Sequence, residues 1–291
     1  MEMTGLFSVL LVILICFLIF CCWCMIWDSN RFVVQKYCLQ TEKLEEKVRF
    51  LFLSDLHNKE YGPGNVRLLE EIQEQNPDFI LIGGDMMNAK PGASFEKAVS
   101  FLKTLSSEYK VYYAMGNHEY RARIYPETYG TMHEDYFNAL KDTGICFLDN
   151  EHVRIGEKKI RITGLTIDKY YYKRFVRRKM KPGYLESVLG ETSGDQYQIL
   201  LAHNPDYFQD YAQWKPDLVL SGHVHGGVIK VPFLGGVVAP SLRPFPHYDG
   251  GLFEEYGCKM ILSRGLGMHT IPVRLFNPGE LILVELLPAS E

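Results

Sequence analysis

The sequence predicts an α/β fold: a mainly parallel sheet, a second sheet closed later in the chain, and one long apolar helix ahead of both. Three observations carry this prediction. Short apolar runs that suit buried strands, at residues 51–57, 78–82 and 111–115, alternate with stretches of helical periodicity at 65–75 and 94–105. Strand, helix, strand order favours right-handed crossovers, which bring the carboxyl ends of parallel strands to one edge of the sheet. Finally, 291 residues with 47% hydrophobic content can bury one large core or two small ones, and no repeat or low-complexity linker divides residues 48–291, so one soluble domain is expected there.

The tail 1–5 precedes residues 6–27, which contain no charged side chain. As a helix rising about 1.5 Å per residue they reach about 33 Å, enough to cross a hydrocarbon core of about 30 Å. Trp23 and Trp27 would mark one interface. Glu2 stands where a signal peptide carries basic residues, and no small-x-small cleavage site follows, so an uncleaved single-pass anchor is expected. Arg31, Lys36, Lys43 and Lys47 follow the span and no Lys or Arg precedes it, which predicts a cytoplasmic C-terminal domain. The seven cysteines form no disulfide pattern: Cys16, Cys21, Cys22 and Cys24 lie in the apolar segment, and Cys38, Cys146 and Cys258 are widely spaced. A net charge of −4 argues against broad nucleic-acid binding.

Residues 28–47 read as a juxtamembrane linker and a first edge strand. The run through 51–57 ends in Asp55 and His57, two apart, so the two-residue period of a strand turns both side chains one way. At 65–75, Val66, Leu69 and Ile72 suit one face of a helix capped by Asn65 and ended by Pro77. The strand at 78–82 stops at Gly83-Gly84-Asp85. A helix at 94–105 turns Phe95, Ala98, Phe101, Leu102 and Leu105 to one side, and the strand at 111–115 ends in Gly116-Asn117-His118-Glu119. After a helix near 132–141 come strands at 145–148, 153–155 and 160–165. Those at 198–202 and 218–220 end at His203 and at Ser221-Gly222-His223-Val224-His225. The strands at 259–263 and 280–287 read as antiparallel closure of the second sheet.

Gathered together, the strand ends carry Asp55, His57, Asp85, Asn117, His118, His203, His223 and His225, and five of the nine histidines fall among them. A hard carboxylate beside imidazole is what Mn, Fe or Zn accepts. His133, His152, His247 and His269 belong to no motif. In this order the motifs Asp-x-His, Gly-Asp, Gly-Asn-His-Glu, a lone His and Gly-His-x-His resemble the calcineurin-like binuclear metallophosphoesterases over roughly residues 48–287. Within that family the membrane-anchored branch similar to UDP-2,3-diacylglucosamine pyrophosphatases and bacterial phosphodiesterases is nearest. His203-Asn204-Pro205-Asp206, the run 222–227 and the run 263–267 carry that likeness.

The resemblance implies a four-layer α/β/β/α sandwich. It implies that Asp55, His57 and His225 hold one divalent ion, Asn117, His203 and His223 a second, and Asp85 both. Mn is the first choice, with Fe or Zn next. Ions about 3.5 to 4 Å apart make a shared hydroxide nucleophilic at neutral pH, and about one net positive charge is then left to draw in a phosphoryl group. His118 would stabilise developing charge or protonate the leaving oxygen. The expected reaction is hydrolysis of a phosphodiester or pyrophosphate, on a lipid-linked substrate at the membrane. The alternative is a catalytically silent, metal-bound scaffold for protein partners. Residues 168–181, basic and interleaved with Tyr170, Tyr171, Tyr172 and Phe175, read either as a solvated insertion or as a cap for anionic head groups. Arg264 and Arg274 are candidate phosphate or ion-pair partners, and Tyr120 and Arg121 candidates for the mouth of the site.

Overall fold

Alternation of side chains along each strand decides the layers. The computed structural model describes residues 2–172, 178–192, 194–227, 230–231, 235–236, 247–268 and 274–289; residues 173–177 of the basic stretch and His269 lie outside them. The first half comprises α1 (Glu2–Ser29), β1 (Phe32–Thr41), β2 (Val48–Leu53), α2 (Val66–Gln75), β3 (Phe79–Ile82), α3 (Glu96–Glu108), β4 (Val111–Ala114), α4 (Asn117–Ile124), α5 (Pro126–Tyr129) and α6 (Met132–Leu140). After these come β5 (Cys146–Leu148), β6 (His152–Ile155), β7 (Ile160–Leu165), α7 (Tyr184–Leu189), β8 (Tyr197–Ala202), α8 (Phe208–Gln213) and β9 (Leu218–Ser221). A two-residue pair, β10 (Lys230–Val231) with β11 (Gly235–Gly236), then β12 (Gly251–Glu255), β13 (Cys258–Leu262) and β14 (Gly279–Pro288) complete the chain.

The first sheet runs β1-β14-β2-β3-β4-β5 and the second β12-β13-β9-β8-β7-β6. β2 to β5 are parallel, as are β7, β8, β9 and β13, and both sheets carry antiparallel neighbours at their margins. Odd-numbered strand residues such as Leu51, Leu53, Leu281 and Leu283 pack with Ile80 and Ile82 against helices α2, α3 and α6. Their neighbours Phe50, Phe52, Leu81 and Ile282 face Ile162, Ile199, Leu201 and Leu220 of the second sheet. That sheet turns Leu200, Val219, Met260 and Leu262 outward onto α7 and α8. Helices, sheet, sheet and helices are therefore four layers around two-sided sheets, whose strands are apolar in both directions.

α1 is long and apolar enough to cross a membrane, and its large side chains from Leu6 to Trp27 are exposed. The cysteines are all free.

Three local expectations are corrected. The strand at 280–287 does not close the second sheet: β14 lies in the first, antiparallel to β2 and parallel to β1. Asn65 does not cap α2, for its φ of 61° is left-handed and its Oδ1 accepts from the Tyr61 N–H at 2.9 Å instead. The buried face of α2 is Leu68 and Ile72, while Val66 in the first turn is exposed.

Candidate metal centre

Five parallel strands, three from one sheet and two from the other, deliver their carboxyl ends to one place. β2 leads to Asp55 and His57, β3 to Asp85, β4 to Asn117 and His118, β8 to His203, and β9 to His223 and His225. Strand alternation does not align Asp55 and His57, contrary to the sequence argument. β2 stops at Leu53, and both residues lie in a turn with left-handed φ, 57° and 50°. That turn is pinned to the loop after β3 by Asp55 N–H to Gly84 O (2.9 Å) and His57 N–H to Asp85 O (3.0 Å). Asp85, His223 and His225 are left-handed too, at 55°, 74° and 52°. A left-handed residue with a Cβ costs about 1–2 kcal/mol, and such conformations persist where the surroundings over-determine them.

The donor atoms converge in two groups that share a wall. His225 Nε2 is 3.2 Å from Asp55 Oδ1 and 3.1 Å from His57 Nε2. His203 Nε2 is 3.2 Å from Asp85 Oδ2 and 3.1 Å from Asn117 Oδ1. The donor atoms of Asp55, His57 and His225 lie within 4.8 Å of one another, and so do those of Asp85, His203 and His223. His203 is oriented from behind by Gly83 O, 2.7 Å from its Nδ1. All eight residues named from the sequence are thus brought together. Asp55, Asp85 and His203 are buried, while Asn117 and His223 are partly open.

Backbone donors hold the carboxylates. The His223 N–H donates to both Asp55 oxygens at 3.1 Å, and the His118 N–H donates to Asp85 Oδ1 at 2.7 Å. The second of these places Asp85 at the N-terminus of α4, where unpaired amides favour negative charge. A Cβ on Gly116 would overlap Asp85 Oδ1, and one on Gly222 would overlap Asp55 Oδ2, so glycine is required for the approach.

Electrostatics separate the groups. Burial works against ionising Asp55, yet the His225 and His203 imidazoles hold its carboxyl below the usual range; His203 and His118 do the same for Asp85. Burial likewise opposes charge on His203, but Asp85 and Asp55 lift it to about 10. Burial pushes His118 and His223 down to about 3. His118 Nδ1 accepts from the Ala89 N–H at 2.9 Å, so neutral His118 carries its proton on Nε2, 3.9 Å from Asp85 Oδ2.

This donor set fits divalent cations. His223 Nδ1 is a buried atom with no hydrogen-bond partner among the described residues, and buried Asp85 Oδ2 faces the His203 imidazole at 3.2 Å. Lone pairs that converge at 3.1–3.2 Å repel unless a proton or cation lies among them.

Sequence reasoning missed the part played by Glu119. Wholly buried, it accepts from the N–H groups of Asp85 (2.9 Å), Met86 (2.8 Å) and Gly116 (3.0 Å) and from Tyr113 Oη (2.8 Å), clamping the β3 and β4 loops together. Burial and then Asp85 raise it to about 7. The only sequence signal was its place after His118.

Other candidates divide. Arg264 pairs with Glu280 at 2.8 Å, and buried Arg274 donates to backbone carbonyls, so both are structural. Arg121 Nη2 reaches Ala89 O at 3.1 Å and lies 3.5 Å from His118 Nδ1. In the basic stretch, Tyr172 stands 6.2 Å from His223 and 6.3 Å from Tyr120, ring to ring, so this part of it borders the site. Arg178 lies over the exposed Tyr170 ring at 3.8 Å.

Residues 48–227 match the calcineurin-like phosphoesterase family. An uncharacterized metallophosphoesterase of Helicobacter pylori J99 is 30% identical over 260 residues, 86% of this chain and 62% of that protein. One from Aquifex aeolicus is 28% identical over 86% of this chain and 90% of that protein. A transmembrane protein with metallophosphoesterase domain from Danio rerio is 28% identical over 86% of this chain and 56% of that protein. The chain thus spans about three fifths of the length of the Helicobacter relative.

Proposed function

The chain belongs to the calcineurin-like phosphoesterase family and is a metal-dependent phosphoesterase; on that premise we propose a membrane-anchored hydrolase that opens a phosphodiester or pyrophosphate bond using two divalent ions. One observation supports this above the rest: side chains from five strand ends in two sheets gather around Asp55 and Asp85, with His225 Nε2 3.2 Å from Asp55, His203 Nε2 3.2 Å from Asp85, and the His57–His225 and His203–Asn117 pairs each at 3.1 Å. In this reading Asp55, His57 and His225 would hold one ion and Asn117, His203 and His223 the other, with Asp85 serving both. Mn is the first candidate, Fe and Zn the next. When bound, such a pair would supply Lewis acidity, lowering the pKa of bound water and stabilising negative charge on the phosphoryl oxygens.

The chain's own groups do the rest. Backbone N–H donors fix the orientation of Asp55 and Asp85, and the imidazoles around them favour their ionised form, so their lone pairs are set before substrate arrives. His118 presents Nε2–H toward the same space, placed to donate to the phosphoryl or leaving oxygen without becoming charged itself. Tyr172 gives the wall beside His223 an aromatic face. We further propose that residues 6–27 anchor domain 48–291 to the membrane with that domain in the cytoplasm. The substrate is then lipid-linked, in the manner of UDP-2,3-diacylglucosamine.

The test is metal content and hydrolysis of bis-p-nitrophenyl phosphate with Mn2+. Asp85→Ala should lose ions and activity together. His118→Ala should keep its ions and lose about 10²–10⁴-fold in kcat. Activity that survives loss of Asp85, or that no metal elicits, counts for a silent scaffold.

A further inference from the structure

The C-terminal end of α1 is joined to the candidate metal centre through two side chains, those of Asp28 and Asn277. Asp28, in the last turn and 4% exposed, accepts the Asn277 backbone N–H through Oδ2 at 3.0 Å, while Arg31 Nε and Nη2 donate to its Oδ1 at 3.0 and 2.9 Å. Beside this contact the rings of Phe20 and Phe276 lie 6.4 Å apart. Asn277 is fully buried, and its Nδ2 donates to His225 O at 2.7 Å and to Gly227 O at 2.8 Å. Asn277 is itself fixed by Arg274, whose Nη1 donates to Asn277 O at 3.2 Å and whose Nη2 donates to Arg264 O and Gly265 O at 2.8 and 3.0 Å.

The two carbonyls that Asn277 grips bracket an unusual stretch. His225, Gly226 and Gly227 are left-handed in succession, with φ of 52°, 69° and 82°. Two of them are glycines at no steric cost, but His225 carries a Cβ and stays left-handed only where its surroundings hold it. A Cβ on Gly226 would approach Asn277 Oδ1 to 2.7 Å, so the loop packs directly on the asparagine. The His225 imidazole then faces Asp55 and His57 from a backbone that has no freedom to turn.

We propose that Asn277, braced by Asp28 at the end of α1, is the positioning residue that aims His225 at the ion it shares with Asp55 and His57. The membrane helix and one half of the metal centre are then a single mechanical unit. This rests on the reading of His225 as a metal donor. Asn277 touches neither substrate nor ion; its two bonds fix the main chain from which the donor projects, a kind of support whose loss typically costs about 10- to 100-fold in metal affinity.

The experiment uses the full chain in detergent and measures Mn2+ binding by equilibrium dialysis beside kcat and KM. Asn277→Asp keeps the shape and sets an acceptor against two carbonyls. It should weaken one of two Mn2+ ions by about tenfold or more while the other binds as before. Its kcat should fall at limiting Mn2+ and recover at saturating Mn2+, with KM little changed. Asp28→Ala should weaken the same ion, and Asp28→Asn, which keeps an acceptor oxygen, should restore it. If Asn277→Asp does not fold, the Asp28 pair carries the test alone. Wild type that binds two ions, with Asp28→Ala binding both as tightly, overturns the inference; so does an equal loss at both ions with a lowered Tm. Wild type that binds no Mn2+ overturns the metal-centre reading and this inference with it.

Discussion

Burial ordinarily keeps an imidazole neutral, and His118 and His223 obey, whereas His203 faces Asp85 and Asp55 and is lifted to about 10. Without metal His203 therefore holds a proton at pH 7.5, and its contribution to stability is present below pH 6.5 and lost as pH rises through about 10. A cation needs the same nitrogen, so Mn2+ uptake should expel a proton. Calorimetry of Mn2+ binding at pH 7.5 in buffers of differing ionisation enthalpy checks this: the apparent enthalpy should change with the buffer, and an identical enthalpy in every buffer refutes it. Glu119 supports the same donors differently, through three N–H groups of two loops. Glu119→Gln turns one acceptor into a donor facing those amides and should cost about 1–3 kcal/mol, seen as a Tm lower by several degrees, with Mn2+ affinity reduced. The eight residues that converge here were named from the sequence because carboxylates and imidazoles at successive strand ends are the residue types that divalent-cation chemistry calls for. The part of Glu119 was not, because three of its partners are main-chain groups that any sequence would supply and the fourth, the Tyr113 hydroxyl, is brought to it by the fold.

Elements were legible where periodicity had a single partner. The strands at 78–82 and 111–115 were found near their observed bounds because each is a short apolar run closed by glycine, whereas the run 51–57 overlaps β2 only at 51–53, since the strand begins at Val48 and gives way to a turn after Leu53. The placing of 280–287 failed for a physical reason: eight of the ten residues of β14 are buried, on both faces, so the pattern says that the strand is central without naming its neighbours. A cross-strand cluster shows what holds it there. Glu285 pairs with Lys36 of β1 and with Lys47, both at 2.9 Å, and lies 3.7 Å from Arg49 of β2. Burial opposes its charge, but Lys36 and Lys47 override it and hold the carboxyl at about 2. Since folding lowers this pKa, the stabilisation is present above pH 4.5 and fades as pH falls toward 2. Urea unfolding at pH 7 and pH 3 should show a smaller loss of stability on acidification in Glu285→Gln than in wild type. Equal losses would mean that the cluster is screened by solvent.

At the scale of the molecule, one face of each sheet and the helices behind it are satisfied by the fold, but α1 is not. From Leu6 at 63% to Phe20 at 49% its apolar side chains are exposed on every side, and its last turns, where Cys24 and Asp28 are buried, meet the domain through Asp28 and Phe20. A helix apolar on every side requires a surrounding that is apolar on every side. The charge asymmetry was the one cue to its direction, because nothing inside the domain depends on which side of a bilayer it faces. Leu14→Arg with Leu18→Arg places two charges mid-span, each costing about 2.5–3.5 kcal/mol on insertion. Wild type should sediment with membranes through an alkaline carbonate wash, and the double variant should be released or degraded. On the proposed orientation, protease added to intact spheroplasts should spare the domain and cut it only after the bilayer is opened, since basic residues such as Arg31, Lys36, Lys43 and Lys47 favour the cytoplasmic side. Cleavage in intact spheroplasts would reverse the orientation and move the phosphoester substrate to the other face of the membrane.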